Sequence, residues 1–226
     1  ASNPDNNEVS ERYITKGLQE TGAVNIVTGM ILDYRAFDTF GESNVLFIAT
    51  VTVLILLRID KTDKKEGESR DNAPTRAEAD ENDRIYEPKN DLILQKVAGF
   101  LVPLIIIFGI YVILNGHLSP GGGFSGGAII GAGLILYLNA FGFAKTERFF
   151  TEKTYKWICF CSLTCYCLAK SYSFYMGANH LPSGIPLGTP GAILSSGLIL
   201  VLNICVGLVV TCTMYAFYAL FRKGGF

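Results

Sequence analysis

The chain has 226 residues, of which half are hydrophobic and only 17% are charged, and its formal net charge is −1. This composition is typical of membrane proteins and argues against a soluble globular domain. It also excludes nucleic-acid binding, because that function needs a basic surface to displace counterions from phosphates.

Apolar runs of about 20 residues, the length that crosses a bilayer, recur along the chain. In chain order they are Thr39–Leu57, Leu92–Leu114, Gly126–Phe143, Trp157–Ala178 and Gly191–Leu220. The last run is longer than a bilayer requires, so it either tilts or projects beyond the lipid. The sequence therefore predicts an all-α membrane protein with about five transmembrane helices.

Lysine and arginine are distributed unequally over the connections between these runs. The connections 58–91 and 144–156 and the C-terminal tail contain several of them, whereas the connections 115–127 and 177–191 contain none. Because cytoplasmic loops carry the excess of Lys and Arg, we expect an external N-terminus and a cytoplasmic C-terminus.

Residues 59–90 are rich in charged and small polar side chains and contain two prolines, so they lack the apolar content for a core. They are predicted to form a charged cytoplasmic linker. It would separate a one-span unit, residues 1–58, from a four-span unit, residues 91–226, which suggests a fusion of two once-separate polypeptides.

The connection between the second and third runs is predicted to be a compact, glycine-rich external loop. Glycine permits positive φ and close backbone approach, and Ser119-Pro120 favours a turn. The predicted structural residues of this loop are Pro120, Gly121, Gly122, Gly123, Phe124, Gly126 and Gly127. The spacing Gly123–Gly127–Gly131 also predicts close helix packing in the third run.

Charged residues at the start of the first run are candidates for an ion pathway. If the segment is helical, Asp38 and Glu42 share a face, where two carboxylates can hold a proton or a hydrated cation, with Arg35 as the counter-charge. Asp33, just upstream, belongs to the same candidate set. The alternative is that Asp38 or Thr39 caps a helix and Glu42 interacts with its dipole.

Two further residues extend the candidate ion pathway. Lys170 lies inside the fourth run, where an ionisable residue marks a functional site unless its stem reaches the outer surface. His117 could relay protons or bind a metal, and the alternative for His117 and His180 is a surface position without a special role. Neither histidine has a Cys or a carboxylate at ligand spacing beside it.

No metal site or catalytic centre is predicted in this chain. On a helix only Cys161 and Cys165 of the cysteine run share a face, so its four thiols cannot converge on one ion. The run comprises Cys159, Cys161, Cys165 and Cys167. The glycines of residues 121–126 match the dinucleotide-binding spacing, but the strand and the βαβ unit which that motif requires are missing. A free-standing enzyme is therefore disfavoured.

Two parts of the chain resemble known membrane families. The stretches Gln19–Val27 and Leu32–Glu42 are similar to the E subunit of membrane-bound hydrogenases and to the C-terminal end of the large A subunit of Mrp-type antiporters. Asn90–Gln95, Gly116-His117 and the glycine-rich stretch Pro120–Gly127 are similar to the B subunit of Mrp antiporters, the MnhB family.

The resemblance implies an accessory membrane subunit of a multisubunit Mrp-type Na+/H+ antiporter module, within a ferredoxin-linked membrane-bound hydrogenase or a related redox-driven ion pump. A stand-alone Mrp antiporter subunit and a purely structural adaptor are the alternatives. The implied partners are antiporter-like membrane subunits, hydrogenase or ferredoxin-oxidising subunits, Na+ and H+. The resemblance assigns iron–sulfur clusters and the active-site metal to partner subunits, and it implies the plasma membrane of a prokaryote.

Overall fold

The computed structural model describes residues 8–56 and 91–223. Over these ranges the secondary structure is helical and contains no strand, which confirms the predicted all-α class. The predicted linker, residues 59–90, lies outside the described residues.

Three helical elements precede the first long helix. Helix α1 spans Glu8–Thr21, the short helix α2 spans Ile26–Gly29, and a single π-helical turn spans Met30–Tyr34. Asn25 caps α2, since its side-chain oxygen accepts hydrogen bonds from the backbone N–H groups of Val27 and Thr28.

Five long helices follow, together with one short connecting helix. They are α3 Ala36–Leu56, α4 Leu92–Leu114, α5 Gly123–Phe141, α6 Phe143–Thr146, α7 Glu152–Ala178 and α8 Ile199–Lys223. Among the described residues, α3, α4, α5 and α8 are long and apolar enough to cross a membrane. The fifth predicted span corresponds to α7, which has 27 residues but more polar side chains, including Lys170. The fold is therefore roughly consistent with the predicted number of spans.

Four of the five long helices do not begin where predicted, and α3 and α7 start earlier, at Ala36 rather than Thr39 and at Glu152 rather than Trp157. Helix α8 begins at Ile199 rather than Gly191, because residues 191–198, although partly apolar, form turns with positive φ at Gly191, Ser196 and Gly197. Helix α5 begins at Gly123 rather than Gly126. Of the predicted structural residues, Gly123, Phe124, Gly126 and Gly127 therefore lie in the helix, and Pro120, Gly121 and Gly122 lie in the loop.

Helix α8 lies at the centre of the bundle. About 72% of its membrane-length window is buried, and it packs against α3, α4, α5 and α7. The fully buried Tyr155 and Cys159 of α7 and Tyr215 of α8 form one core cluster, and Tyr166 of α7 packs with Leu202 of α8 in another. This central helix ties the N-terminal unit to the four-span unit.

Helix α5 approaches both of its neighbours along glycines. A Cβ atom at Gly123 would lie 2.5 Å from the Asn203 carbonyl oxygen of α8, and one at Gly127 would lie 2.6 Å from that of Gly207. On the other side, a Cβ at Gly126 would lie 2.5 Å from Ile113 of α4. The predicted close approach along the Gly-x-x-x-Gly spacing is confirmed.

Candidate functional site

Three connecting segments meet at one end of the bundle. The backbone N–H of Asn25 donates to the carbonyl of His117 at 3.0 Å, and its side-chain amide donates to the carbonyls of Gly116 at 3.2 Å and Ser119 at 3.0 Å. The Thr28 hydroxyl also donates to the Gly116 carbonyl, at 2.7 Å. The N-terminal segment and the glycine-rich loop are thus hydrogen-bonded together.

The connection before α8 closes the same end. His117 is fully buried, and its Nε2 lies 3.1 Å from the carbonyl oxygen of Ala192. The Ser196 hydroxyl donates to the Gly22 carbonyl at 2.9 Å. The surface interpretation is therefore wrong for His117, because three segments pack over it, whereas His180 is exposed.

The central feature of the site is an ion pair between distant parts of the chain. The Lys170 Nζ of α7 lies 3.1 Å from an Asp33 carboxylate oxygen in the π-helical turn. The Lys170 side chain is 6% exposed and the Asp33 side chain is 35% exposed. Lys170 therefore does not reach outward to the surface, because the carboxylate holds its ammonium inside the fold.

A polar cavity of about 280 Å³ lies beside this ion pair. Its charged lining residues are Glu20, Asp33 and Lys170, and Ser173, Ser183 and Ser196 add hydroxyl groups. Lys170 balances the charge of Asp33, and Arg12, which lies outside the lining, pairs with Glu20. A cavity lined by paired charges can take up one monovalent cation or a proton when one of the pairs opens.

No sequence pattern indicated a role for Glu20. Arg12 donates to both of its carboxylate oxygens, at 3.0 and 3.2 Å, and the Tyr34 hydroxyl donates to one of them. The hydrogen bonds from Arg12 and Tyr34 hold the pKa of Glu20 below its usual value. Burial, together with the bond to Glu20, raises the pKa of Tyr34 to about 12. Glu20 is therefore a fixed negative charge at the cavity.

The other predicted acids lie apart from the cavity. Asp38 is in the first turn of α3 and forms an exposed ion pair with Arg35, whose Nε donates to the carboxylate at 2.7 Å. Glu42 is exposed on the same face of α3, one turn further along. Arg35 thus neutralises Asp38, and both carboxylates are exposed and absent from the cavity lining.

The polar residues of the later spans serve helix packing. The Asn139 side-chain oxygen accepts from the Tyr218 hydroxyl at 2.6 Å and from Arg222 at 2.9 Å, and the Asn203 side-chain oxygen accepts from the Gly123 N–H at 3.0 Å. These hydrogen bonds join α5 to α8. The described part of the chain brings together no group of three or more metal-ligating side chains.

Comparison with protein families agrees with this architecture. Residues 93–216 match the family described as a domain related to the MnhB subunit of Na+/H+ antiporters. The chain belongs to the MnhB-related family. Residues 1–68 of this MnhB-related chain match a second family, MbhE, which is described as the E subunit of MBH. Both resemblances expected from the sequence are confirmed.

Known proteins resemble the MnhB-related chain over most of its length. An uncharacterized protein of Methanocaldococcus jannaschii is 30% identical over 211 residues, which cover 88% of this chain and 76% of the relative. A chain in the structure of the membrane-bound sulfane sulfur reductase, an archaeal respiratory membrane complex, superposes with a TM-score of 0.75 at 26% identity. That match covers 98% of this chain and 88% of the matched one.

A second solved structure contains a longer relative. A chain of the Mrp complex from Dietzia sp. DQ12-45-1b superposes with a TM-score of 0.66 at 25% identity. The match covers 97% of the MnhB-related chain but only 23% of the Dietzia chain. Both structures are of multisubunit membrane complexes. This chain is likewise a multi-pass membrane protein.

Proposed function

We propose that the chain is an accessory subunit of a Mrp-type Na+/H+ antiporter module that works within a redox-driven ion pump of a prokaryotic plasma membrane. The two family matches support the antiporter module. The redox-driven setting is supported by the structural match to a chain of the archaeal respiratory membrane complex, because that match covers nearly the whole of this protein. Iron–sulfur clusters and any active-site metal would belong to partner subunits.

The Asp33–Lys170 ion pair, in which the lysine is buried and the aspartate is partly exposed, is the observation that carries the ion-transport role. A sodium ion entering the neighbouring cavity would compete with the Lys170 ammonium for the Asp33 carboxylate, because both are cations that need the same partner. Glu20, held ionised by Arg12, would keep the cavity attractive to the cation. If the displaced Lys170 ammonium then releases its proton to water, one sodium ion bound at Asp33 is exchanged for one proton released from Lys170.

The remaining candidate residues extend this proposed route in two directions. Arg35, Asp38 and Glu42 would carry ions along the outward face of α3, between this subunit and a neighbour. His117 would line the route only at the closed end, where its Nε2 faces a carbonyl.

The test is sodium-dependent proton transport by the whole complex in sealed membrane vesicles. We expect Asp33→Asn and Lys170→Met each to abolish transport while the complex still assembles. Lys156→Met is the matched control, because it makes the same substitution on the same helix in the exposed pair with Glu152. Full transport by both pair variants would contradict the proposal.

A structural adaptor is the second candidate function, and it would depend on the packing that the glycines of α5 make with α4 and α8 within this chain. In that case the Asp33 and Lys170 variants would transport normally, whereas a bulky side chain at Gly126 would prevent assembly of the complex. Mass spectrometry of the proteins that co-purify with the chain separates the remaining alternatives. Hydrogenase or other iron–sulfur subunits support a redox-driven pump, and antiporter subunits alone support a stand-alone exchanger.

A further inference from the structure

Helix α3 presents one continuous face to the outside of the bundle. The exposed residues of this face are Phe37, Asp38, Gly41, Glu42, Val45, Ile48, Thr52 and Ile55. Apart from Glu42, which directly follows Gly41, the exposed residues from Gly41 to Ile55 recur at alternating intervals of four and three residues. This spacing is typical of a helix that packs lengthwise against another helix.

The acidic end of this outward face lies within the depth of a membrane. A span needs about 20 residues, and 20 residues counted back from Leu56, the last described residue of α3, reach Phe37. At 1.5 Å per residue, Glu42 lies about 7 Å inside that limit. Its carboxylate is therefore placed just inside the membrane boundary, where a charge facing lipid is disfavoured.

Glu42 lacks a counter-charge among the described residues. Asp38 is paired with Arg35, but Glu42 makes no hydrogen bond or ion pair in residues 8–56 and 91–223. Acids at such depth almost always pair with another group inside a protein assembly. The outward face of α3 thus carries one negative charge that needs a basic partner.

The shape of the same face also suits a helix rather than lipid. A Cβ added at Gly41 would find no atom within 4 Å, so the helix surface is open at the level of Glu42. Small residues such as Gly41 and Thr52 let two membrane helices approach closely. The outward face of α4 differs beyond Lys96 and Gly99, because Phe100, Ile107 and Phe108 make it bulky and apolar there, which suits contact with lipid chains.

We infer that the outward face of α3 is the docking surface for a transmembrane helix of a different subunit, and that this helix carries a lysine or arginine opposite Glu42. The inference rests only on the part of the proposed function that places the chain in a multisubunit membrane complex. It does not require that Glu42 conduct ions.

The first test is photo-crosslinking in intact membranes that contain the whole complex. A benzophenone amino acid replaces Val45 on α3 and, as the matched control, Ile107 on the lipid-like face of α4. We expect Val45 to crosslink to one other subunit, at a helix with a basic residue within two turns of the crosslink. The control should not capture that subunit. No protein crosslink at Val45, a crosslink to a second copy of this chain, or a partner helix without a basic residue would overturn the inference.

The second test measures the charge pair itself. We expect Glu42→Gln to lower the amount of that subunit retained on the purified chain by about tenfold, an effect typical of leaving one charge of an interfacial pair unmatched. Glu42→Lys combined with an acidic substitution of the partner's basic residue should restore retention. Glu152→Gln, which removes a carboxylate from an exposed pair on α7, is the control. Unchanged retention of the partner subunit in Glu42→Gln would overturn the inference. Lost sodium transport in Asp33→Asn, with the partner subunit still retained, would support the proposed function and would not test the docking surface.

Discussion

The two halves of the Asp33–Lys170 ion pair should not be equally costly to remove. In Asp33→Asn the Lys170 ammonium stays behind in a site where its side chain is 6% exposed. In Lys170→Met the carboxylate stays behind, but the Asp33 side chain is 35% exposed and water can solvate it. We therefore expect the aspartate substitution to destabilise the fold more than the lysine substitution.

Breaking a buried ion pair by removing one partner costs about 3–5 kcal/mol, because the other charge is left uncompensated. That range applies to Asp33→Asn, since Lys170 is buried. For Lys170→Met we expect about 1 kcal/mol, because a partly exposed carboxylate is screened by solvent. At about 2–4 °C per kcal/mol for a chain of this size, the melting temperature should fall by about 10 °C in the first variant and about 3 °C in the second.

The assay is thermal melting of the purified complex, followed through a fluorescent tag on this chain. The double variant provides the internal check, because two neutral side chains leave no buried charge and should recover most of the loss caused by Asp33→Asn. Equal losses in the two single variants, or additive losses in the double variant, would refute the reasoning from burial.

Two further predictions concern helix contact and titration. Gly127→Ala should lower the melting temperature by an amount equivalent to about 1–3 kcal/mol, because the new Cβ would lie 2.6 Å from the Gly207 carbonyl oxygen. The control Gly99→Ala meets no atom within 4 Å and should be neutral or slightly stabilising, so equal effects would contradict the contact. Tyr34 should ionise near pH 12, measured as the tyrosinate absorbance lost in Tyr34→Phe. Because the pKa of Tyr34 is raised on folding, Tyr34 contributes stability below about pH 10, and this stability is lost as the pH rises towards 12. Glu20→Gln should lower the pKa of Tyr34, because it removes the charged acceptor of the tyrosine hydroxyl. A midpoint near 10 in the unmodified chain would show that Tyr34 is neither buried nor bonded to Glu20 as described.

The helices were predictable where local signals mark their ends. Helix α4 has the predicted bounds, because Asp91 caps its first turn with hydrogen bonds to Ile93 and Leu94, and because Asn115 is followed by glycine. The start of α8 was not predictable in this way. Residues 191–198 include Ala192, Ile193 and Leu194, so hydropathy extends the span although the backbone turns there.

The pairings of the site depend on tertiary structure and were not predictable from spacing. Lys170 and Asp33 were each recognised as unusual, but 137 positions separate them and no pattern in the sequence links them. The burial of His117 likewise arises because separate segments fold over one loop. The N-terminal network of Arg12, Glu20 and Tyr34 joins two helical elements through a π-helical turn that no sequence signal indicated.

The hydrogen bonds from Asn25 and Thr28 to the glycine-rich loop have a consequence for how the chain is encoded. They join the N-terminal unit to the four-span unit at the end of the bundle opposite Leu56 and Asp91, and Tyr166 adds a bond from α7 to the Ala36 carbonyl at 2.8 Å. The continuous peptide is therefore only one of several attachments between the units. A gene split within codons 59–90 should yield two polypeptides that find each other in the membrane, and fusing them fixes their ratio at one to one.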